Sequence, residues 1–307
     1  LEIQKAAGIY WPEAFQDPEK MANLAIASQE ITGLENVNIG YEFSILPEVL
    51  GCEIQFYDRH ELKPAMLHHA FDQADDLKMP DDFLKRGRIP AVMEAIRLAR
   101  RKVGDFLPVT SFVFGPYSLA GELAEPTRFL MWAIKNPESA KKFIDFAVEA
   151  IIEYGKAQYR AGSDVISLGE PLGTPDIMGL KIFREYIKPA LKKIADNLGG
   201  IRILHLCGEV EPFIPDIADI GFDAISVKQS VDIARIKPIV GDVKILGNVE
   251  SKVVLTHGTV DEVRAVARKA LEAGVTMLEP CCGLEALMPL SNIKALVEEA
   301  RNYKLKE

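Results

Sequence analysis

The 307-residue chain predicts an α/β architecture, a (β/α)8 TIM barrel. Three observations carry that prediction. Apolar, β-rich runs end in polar, glycine or cysteine residues, the form of parallel strands covered on both faces. Helical patterns fill the intervals between those runs, and no linker rich in Gly, Pro or Ser interrupts them, which predicts a single domain over residues 1–307. No Gly-x-Gly-x-x-Gly turn marks a nucleotide crevice, which disfavours an open doubly wound sheet.

Taken in chain order, Asp17-Pro18 opens a helix, with an acceptor at the cap and proline at the first position, and MANLAIASQEITG carries it to Gly33. VNIG reads as a short strand. LPEVLGCEIQFYD reads as a short helix followed by a strand, and HELKPAMLHHAFDQADDLKMPDD is polar and irregular. Residues 1–88 therefore form an N-terminal segment with an excursion, and regular repeats occupy 89–307. AVMEAIRLARRKV is a helix, PVTSFVFG a strand, and helices begin around Glu125 and Asn136-Pro137. The second of these places Phe143, Phe146, Ala147, Ala150 and Ile151 at helical spacing. Five further strand runs follow: DVISLGE, IRILHLCG, FDAISVKQ, VKILGNV and VTMLEPCC. Between them lie the helix FREYIKPALKKIADNLGG and one opened by the capping box Thr259-x-x-Glu262. These make seven strands; the eighth is expected before Leu1 or near Ile54.

Composition narrows the function. Lysine plus arginine total 36 against 45 aspartate plus glutamate, a net charge of -9, and no basic run is interleaved with aromatics. Nucleic-acid binding is disfavoured. Apolar stretches are broken well before the roughly 18–20 residues of a membrane span. LEIQKAAGIYWPEAF lacks the pattern of a secretory signal, so a cytoplasmic location is expected, with the natural start of the chain lying upstream of Leu1. Four cysteines are too few for a disulfide scaffold at this length, which points to thiolate chemistry in a reducing compartment.

In a barrel of this kind the chemistry sits at the carboxyl ends of the strands. The polar residues closing each run are Glu170, His205, Cys207, Gln229, Asn248, Cys281 and Cys282. Strand alternation turns His205 and Cys207 to one side, with Leu206 opposite, so one metal ion could meet both. An imidazole nitrogen, a thiolate and a second thiolate from another strand end, Cys282, make a tetrahedral zinc site with one position open for substrate. Isolated His-x-Cys pairs also arise as buried structural residues; the convergence of three cysteines and a histidine on strand ends raises the metal reading above that. His60, His68, His69 and His257 read as exposed or turn residues. Glu170, followed by Pro171, is a candidate fourth ligand, general base or cap, and Asn248 a candidate cofactor-binding residue.

HLCGEVEPFIPDIADIGFDAISV, VKILGNVES, the run from His257 to Ala300 and GEPLGTPDIMGLKIFREYIKPALKKI together resemble the uroporphyrinogen decarboxylase superfamily, and within it the methylcobamide:coenzyme M methyltransferase branch. The resemblance spans most of Asp164–Ala300. Its most specific element, His-x-Cys followed far downstream by Pro-x-Cys-Gly, implies zinc on His205, Cys207 and Cys282. It further implies transfer of a methyl group from a methylated corrinoid to a zinc-activated thiol, coenzyme M first among candidates. No Asp-x-His-x-x-Gly corrinoid signature is present, so the methylated corrinoid is expected on a partner corrinoid protein. Two positions depart from the pattern: Cys281 stands where relatives usually have glycine, and Lys228-Gln229 where they often have acidic residues. The competing readings are a metal-free decarboxylase, disfavoured because no arginine-rich N-terminal motif is visible, and a non-catalytic member that keeps zinc for structure.

Overall fold

The computed structural model describes residues 1–40 and 42–303. Its strands are β1 (Val37–Ile39), β2 (Glu53–Gln55), β3 (Ala65–His68), β4 (Val109–Phe114), β5 (Val165–Gly169), β6 (Ile201–Leu206), β7 (Ala224–Val227), β8 (Lys244–Val249) and β9 (Met277–Pro280). Seven of them form one parallel sheet in the order β1-β4-β5-β6-β7-β8-β9, each pairing with the next strand of the repeat. All seven strands expected from the sequence are present in that sheet. It curls as a barrel wall whose edges, β1 and β9, are not hydrogen-bonded to each other among the described residues.

The segment near Ile54 does not supply an eighth strand. β2 and β3 pair only with each other, antiparallel, with Ile54 opposite Met66. Two short strands joined by a polar loop satisfy each other's backbone groups and have no call on the main sheet. Between the open edges the Leu1 ammonium donates to the Ala286 carbonyl, and Arg301 donates to the carbonyl of Gly33. A cavity of about 270 Å³ remains there, lined in part by Trp11, Asn38, Leu284 and Met288.

The helix starts follow the sequence signals. Asp17 accepts from the Lys20 amide at 2.9 Å and caps Pro18–Thr32, which ends on left-handed Gly33. Glu125 accepts from the amides of Thr127 and Arg128, and Asn136 from that of Ser139, opening Pro126–Lys135 and Pro137–Ala161. Both bonds of the Thr259–Glu262 capping box are made. FREYIK begins as one wide turn, Phe183–Ile187, before regular helix over Lys188–Leu198.

Packing fixes the register that matters for chemistry. Phe143, Ala147, Ala150 and Ile151 are fully buried on Pro137–Ala161, where the Phe143 ring packs against Phe71, Phe129 and Trp132. On β6, Leu204 and Leu206 are fully buried and flank half-buried His205. Each leucine contributes about 1.5–3 kcal/mol by leaving water. A one-residue slip would exchange His205 for its neighbours, so those two side chains hold the imidazole on the opposite side of the strand.

Candidate metal centre

His205 is the last residue but one of β6, Cys207 follows that strand and Cys282 follows β9, so strands of the same sheet bring the three together at its carboxyl end. One ligand atom from each lies within 4.8 Å of the other two. Tetrahedral zinc, with Zn–S of about 2.3 Å and Zn–N of about 2.0–2.1 Å, requires sulfur–sulfur and sulfur–nitrogen separations of about 3.6–3.8 Å. The 4.8 Å bound on the group is compatible with that requirement, and an imidazole with two thiols is a donor set suited to zinc.

The two sulfurs already act on each other. Their hydrogen bond pushes the Cys207 thiol up, with burial adding to the effect. The same bond, together with one to His205, holds the Cys282 thiol down. The neighbouring thiol has a different setting: Cys281 is buried, its Sγ lies 3.7 Å from Ser251 Oγ, and burial pushes it up. Cys282 is exposed.

The strand-end carboxylates are held by other donors. Glu170 is fully buried beside β6, its own amide donating to the His205 carbonyl at 3.0 Å, yet its carboxylate turns toward the connection after β4. There it accepts from the Tyr117 and Ser118 amides at 2.8 and 3.1 Å, from the Ser118 hydroxyl, and from the Gly173 amide at 2.9 Å. Burial pushes its carboxyl up, and those four donors pull it back. A Cβ on Gly115 would overlap the carboxylate, so glycine there is a condition of the arrangement. Glu170 is thus the acceptor that satisfies the amides at the start of the Pro116–Ala124 helix and is not among the three clustered ligand groups.

Asn248 likewise faces protein. Its amide Nδ2 donates to the carbonyls of Lys228 and Val231 at 3.2 and 2.9 Å, holding the loop that follows β7. That loop carries Lys228, whose Nζ lies 2.8 Å from Glu209 and whose charge acts favourably on the Cys207 thiolate. Asp176 accepts from the Glu209 amide at 2.8 Å, and a Cβ on Gly208 would strike Asp176 and Thr174, so the turn after Cys207 is closely packed. Arg202 sits at the opposite end of β6, bonded to Asp223 and the Ala195 carbonyl. His60, His68 and His257 are exposed, whereas His69, expected to be exposed, is half-buried with its Nδ1 2.6 Å from the Glu122 carbonyl oxygen.

Two residues escaped the sequence reading. Ser226 on β7 lies opposite His205 in the register, its Oγ 2.9 Å from His205 Nδ1. The same hydroxyl donates to Glu279 on β9. Burial pushes the Glu279 carboxyl up, countered by Ser226 and His205. A signal was available: a glutamate inside VTMLEPCC is costly in a covered strand unless a partner awaits it.

Fold and site together define a parallel α/β protein of the barrel class with a metal-competent His-Cys-Cys group at the carboxyl ends of its strands. The chain belongs to the uroporphyrinogen decarboxylase family: the family signature described as Uroporphyrinogen decarboxylase (URO-D) matches residues 2–303. Methylcobamide:CoM methyltransferase MtaA of Methanosarcina barkeri is 38% identical over 306 residues, covering 99% of this chain and 90% of that protein. Methylcobamide:CoM methyltransferase MtbA of Methanosarcina acetivorans is 32% identical over 308 residues, again covering 99% and 90%. A solved structure of a methyltransferase from Methanosarcina mazei superposes with a TM-score of 0.94 at 38% identity, covering 98% of this chain and 90% of that one.

Proposed function

We propose that this protein is a zinc-dependent methyltransferase that moves a methyl group from a methylated corrinoid, carried on a partner corrinoid protein, to a small thiol, coenzyme M first among candidates. The observation that carries the reading is the approach of His205, Cys207 and Cys282 to within 4.8 Å at the carboxyl end of the sheet. Zinc held by one neutral imidazole and two thiolates would lower the pKa of a substrate thiol, making thiolate available near neutral pH. In the overall transfer a carbon–sulfur bond forms and the cobalt–carbon bond breaks, its electron pair staying on cobalt.

The chain's own residues supply the rest. Lys228, on the loop after β7 and close to Cys207, is the cation available for the anionic end of a thiol such as a sulfonate, exchanging Glu209 for it. Arg202 is committed at the other end of β6. Asn248 serves by holding the Lys228 loop rather than by touching the corrinoid. Glu170 serves as a positioning residue, fixing the end of β5 beside His205 through the 116–118 turn. Ile177, Val253 and Leu287, on the connections after β5, β8 and β9, are exposed apolar residues at the same end of the sheet, available to a protein partner.

The test is demethylation of methylcobalamin by the zinc-loaded protein with a panel of thiols, followed through loss of the cobalt–carbon absorption. Zinc-dependent consumption with an anionic thiol is expected. Consumption that proceeds equally without zinc, or fails with every thiol, would return the decarboxylase and structural-zinc readings.

A further inference from the structure

The contacts of Ser226 tie the His205 ring to a buried carboxyl group. A serine hydroxyl has one proton to give, and here it is given to Glu279 Oε1. The same oxygen lies 2.9 Å from His205 Nδ1, so Nδ1 is engaged by protein and Nε2 is the nitrogen left for a metal ion; with the hydroxyl proton on Glu279 the ring donates from Nδ1–H. A neutral imidazole protonated at Nδ1 carries its lone pair on Nε2. The opposite chain of bonds, from a protonated Glu279 through Ser226 to a bare Nδ1, would leave Nε2 protonated and unable to bind a metal.

A metal ion on Nε2 requires the first arrangement, because only a bare Nε2 has a lone pair to give, and the surroundings hold the chain of bonds in place. Ser226 is buried at 3% exposure, so no bulk water replaces either of its bonds. The sheet register sets Ser226 directly opposite His205 and places Glu279 opposite Asn248, which holds both groups on rigid strands rather than loops.

We propose that Ser226 and Glu279 form a relay that locks His205 in the Nδ1–H tautomer and presents Nε2 to zinc, making both of them positioning residues for the metal centre. The inference rests on the zinc reading given above. Outer-shell partners of a ligating histidine commonly alter metal affinity about 10–100-fold, and the same range is expected here.

Two measurements on the full chain test it. In the metal-free protein labelled with 15N-histidine, at a pH where the ring is neutral, His205 should show a protonated Nδ1 and a bare Nε2; an Nε2–H ring would overturn the relay whether or not zinc binds. In chelator competition, Ser226→Ala and Glu279→Gln should each weaken zinc about 10–100-fold, and the double variant should be little worse than the weaker single, because both act through one chain of bonds. Unchanged zinc affinity in both variants, or loss of thermal stability alone, would assign the pair a purely structural role. Failure of the unaltered protein to bind zinc would instead remove the metal reading itself, leaving the tautomer measurement to decide the relay.

Discussion

Adjacent cysteines allow a sharp test, because Cys281 and Cys282 differ in environment and not in chemistry. Cys282 belongs to the His205–Cys207 group, whereas Cys281 is packed against Ser251. Zinc held by protein ligands alone is bound by about 10–16 kcal/mol, so each of three ligands carries on the order of 3–5 kcal/mol. At 1.4 kcal/mol per tenfold, Cys282→Ala should weaken zinc by at least about a hundredfold, and Cys207→Ala by a similar factor. Cys281→Ala removes one buried sulfur and its contact with Ser251, which costs about 1 kcal/mol of folding stability and should leave zinc affinity unchanged. Competition against a chromophoric chelator, read beside thermal unfolding of the metal-free variants, separates the two effects. A Cys281→Ala protein that loses zinc while Cys282→Ala keeps it would refute the ligand assignment and the geometry from which it is drawn.

Three further outcomes follow from individual contacts. Glu170→Gln keeps the side-chain volume but turns an NH2 group toward the Tyr117, Ser118 and Gly173 donors; it should cost about 2–4 kcal/mol in chemical denaturation while zinc content stays at the unaltered level, and a loss of zinc at full stability would return Glu170 to the ligand set. Lys228→Ala should raise KM for an anionic thiol about tenfold or more with little change in kcat, and leave a neutral thiol unaffected; equal effects on both thiols would show that Lys228 does not read the charge. Asp216 is held below its ordinary value of 3.8 by its hydrogen bond and ion pair with Arg184, with Lys188 adding to it. Its folded-state pKa is depressed, so the stability it supplies is present above 3.8 and fades as pH falls through the lower folded value. Asp216→Asn should therefore cost about 0.5–1 kcal/mol at neutral pH and nothing once both states are protonated; a constant difference across that range would rule out the ion pair as its source.

Strands and helices were legible wherever one physical signal dominated. Leu204 and Leu206 around His205, the proline-started helices and the Thr259–Glu262 box all speak through local spacing, and each is found where the spacing placed it. The β2–β3 hairpin was not legible as such, because two three- or four-residue strands leave no period to count. The clustering of His205, Cys207 and Cys282 was legible for a different reason: barrel topology sends every strand end to one rim, so residues distant in sequence can be assigned a common location without knowing any distance. Direction is what that rule omits. Glu170 and Asn248 do lie at strand ends, as expected, but their side chains turn to the Tyr117–Ser118 amides and the Lys228–Val231 carbonyls. Ser226 was missed because a serine amid AISV looks like any small residue in a buried strand; only the register opposite His205 gives it meaning.

The placement of carboxylates bears on how a thiol could enter the site. Four glutamates stand at or just after the carboxyl ends of β5, β6, β8 and β9, and each is satisfied elsewhere. Glu170 takes the backbone donors of 117–118 and 173, Glu209 pairs with Lys228, Glu250 accepts from the amides of 252–254, and Glu279 accepts from Ser226. Among the described residues no carboxylate joins the clustered group of His205, Cys207 and Cys282. Two thiolates already balance the charge of a zinc ion, and a carboxylate ligand would add a negative charge while occupying the coordination position that a substrate sulfur needs. With the nearby glutamates held by their own partners, a thiol entering a zinc-loaded site would have no carboxylate to displace, and Glu279 would reach the centre only through the Ser226 hydroxyl and the His205 ring.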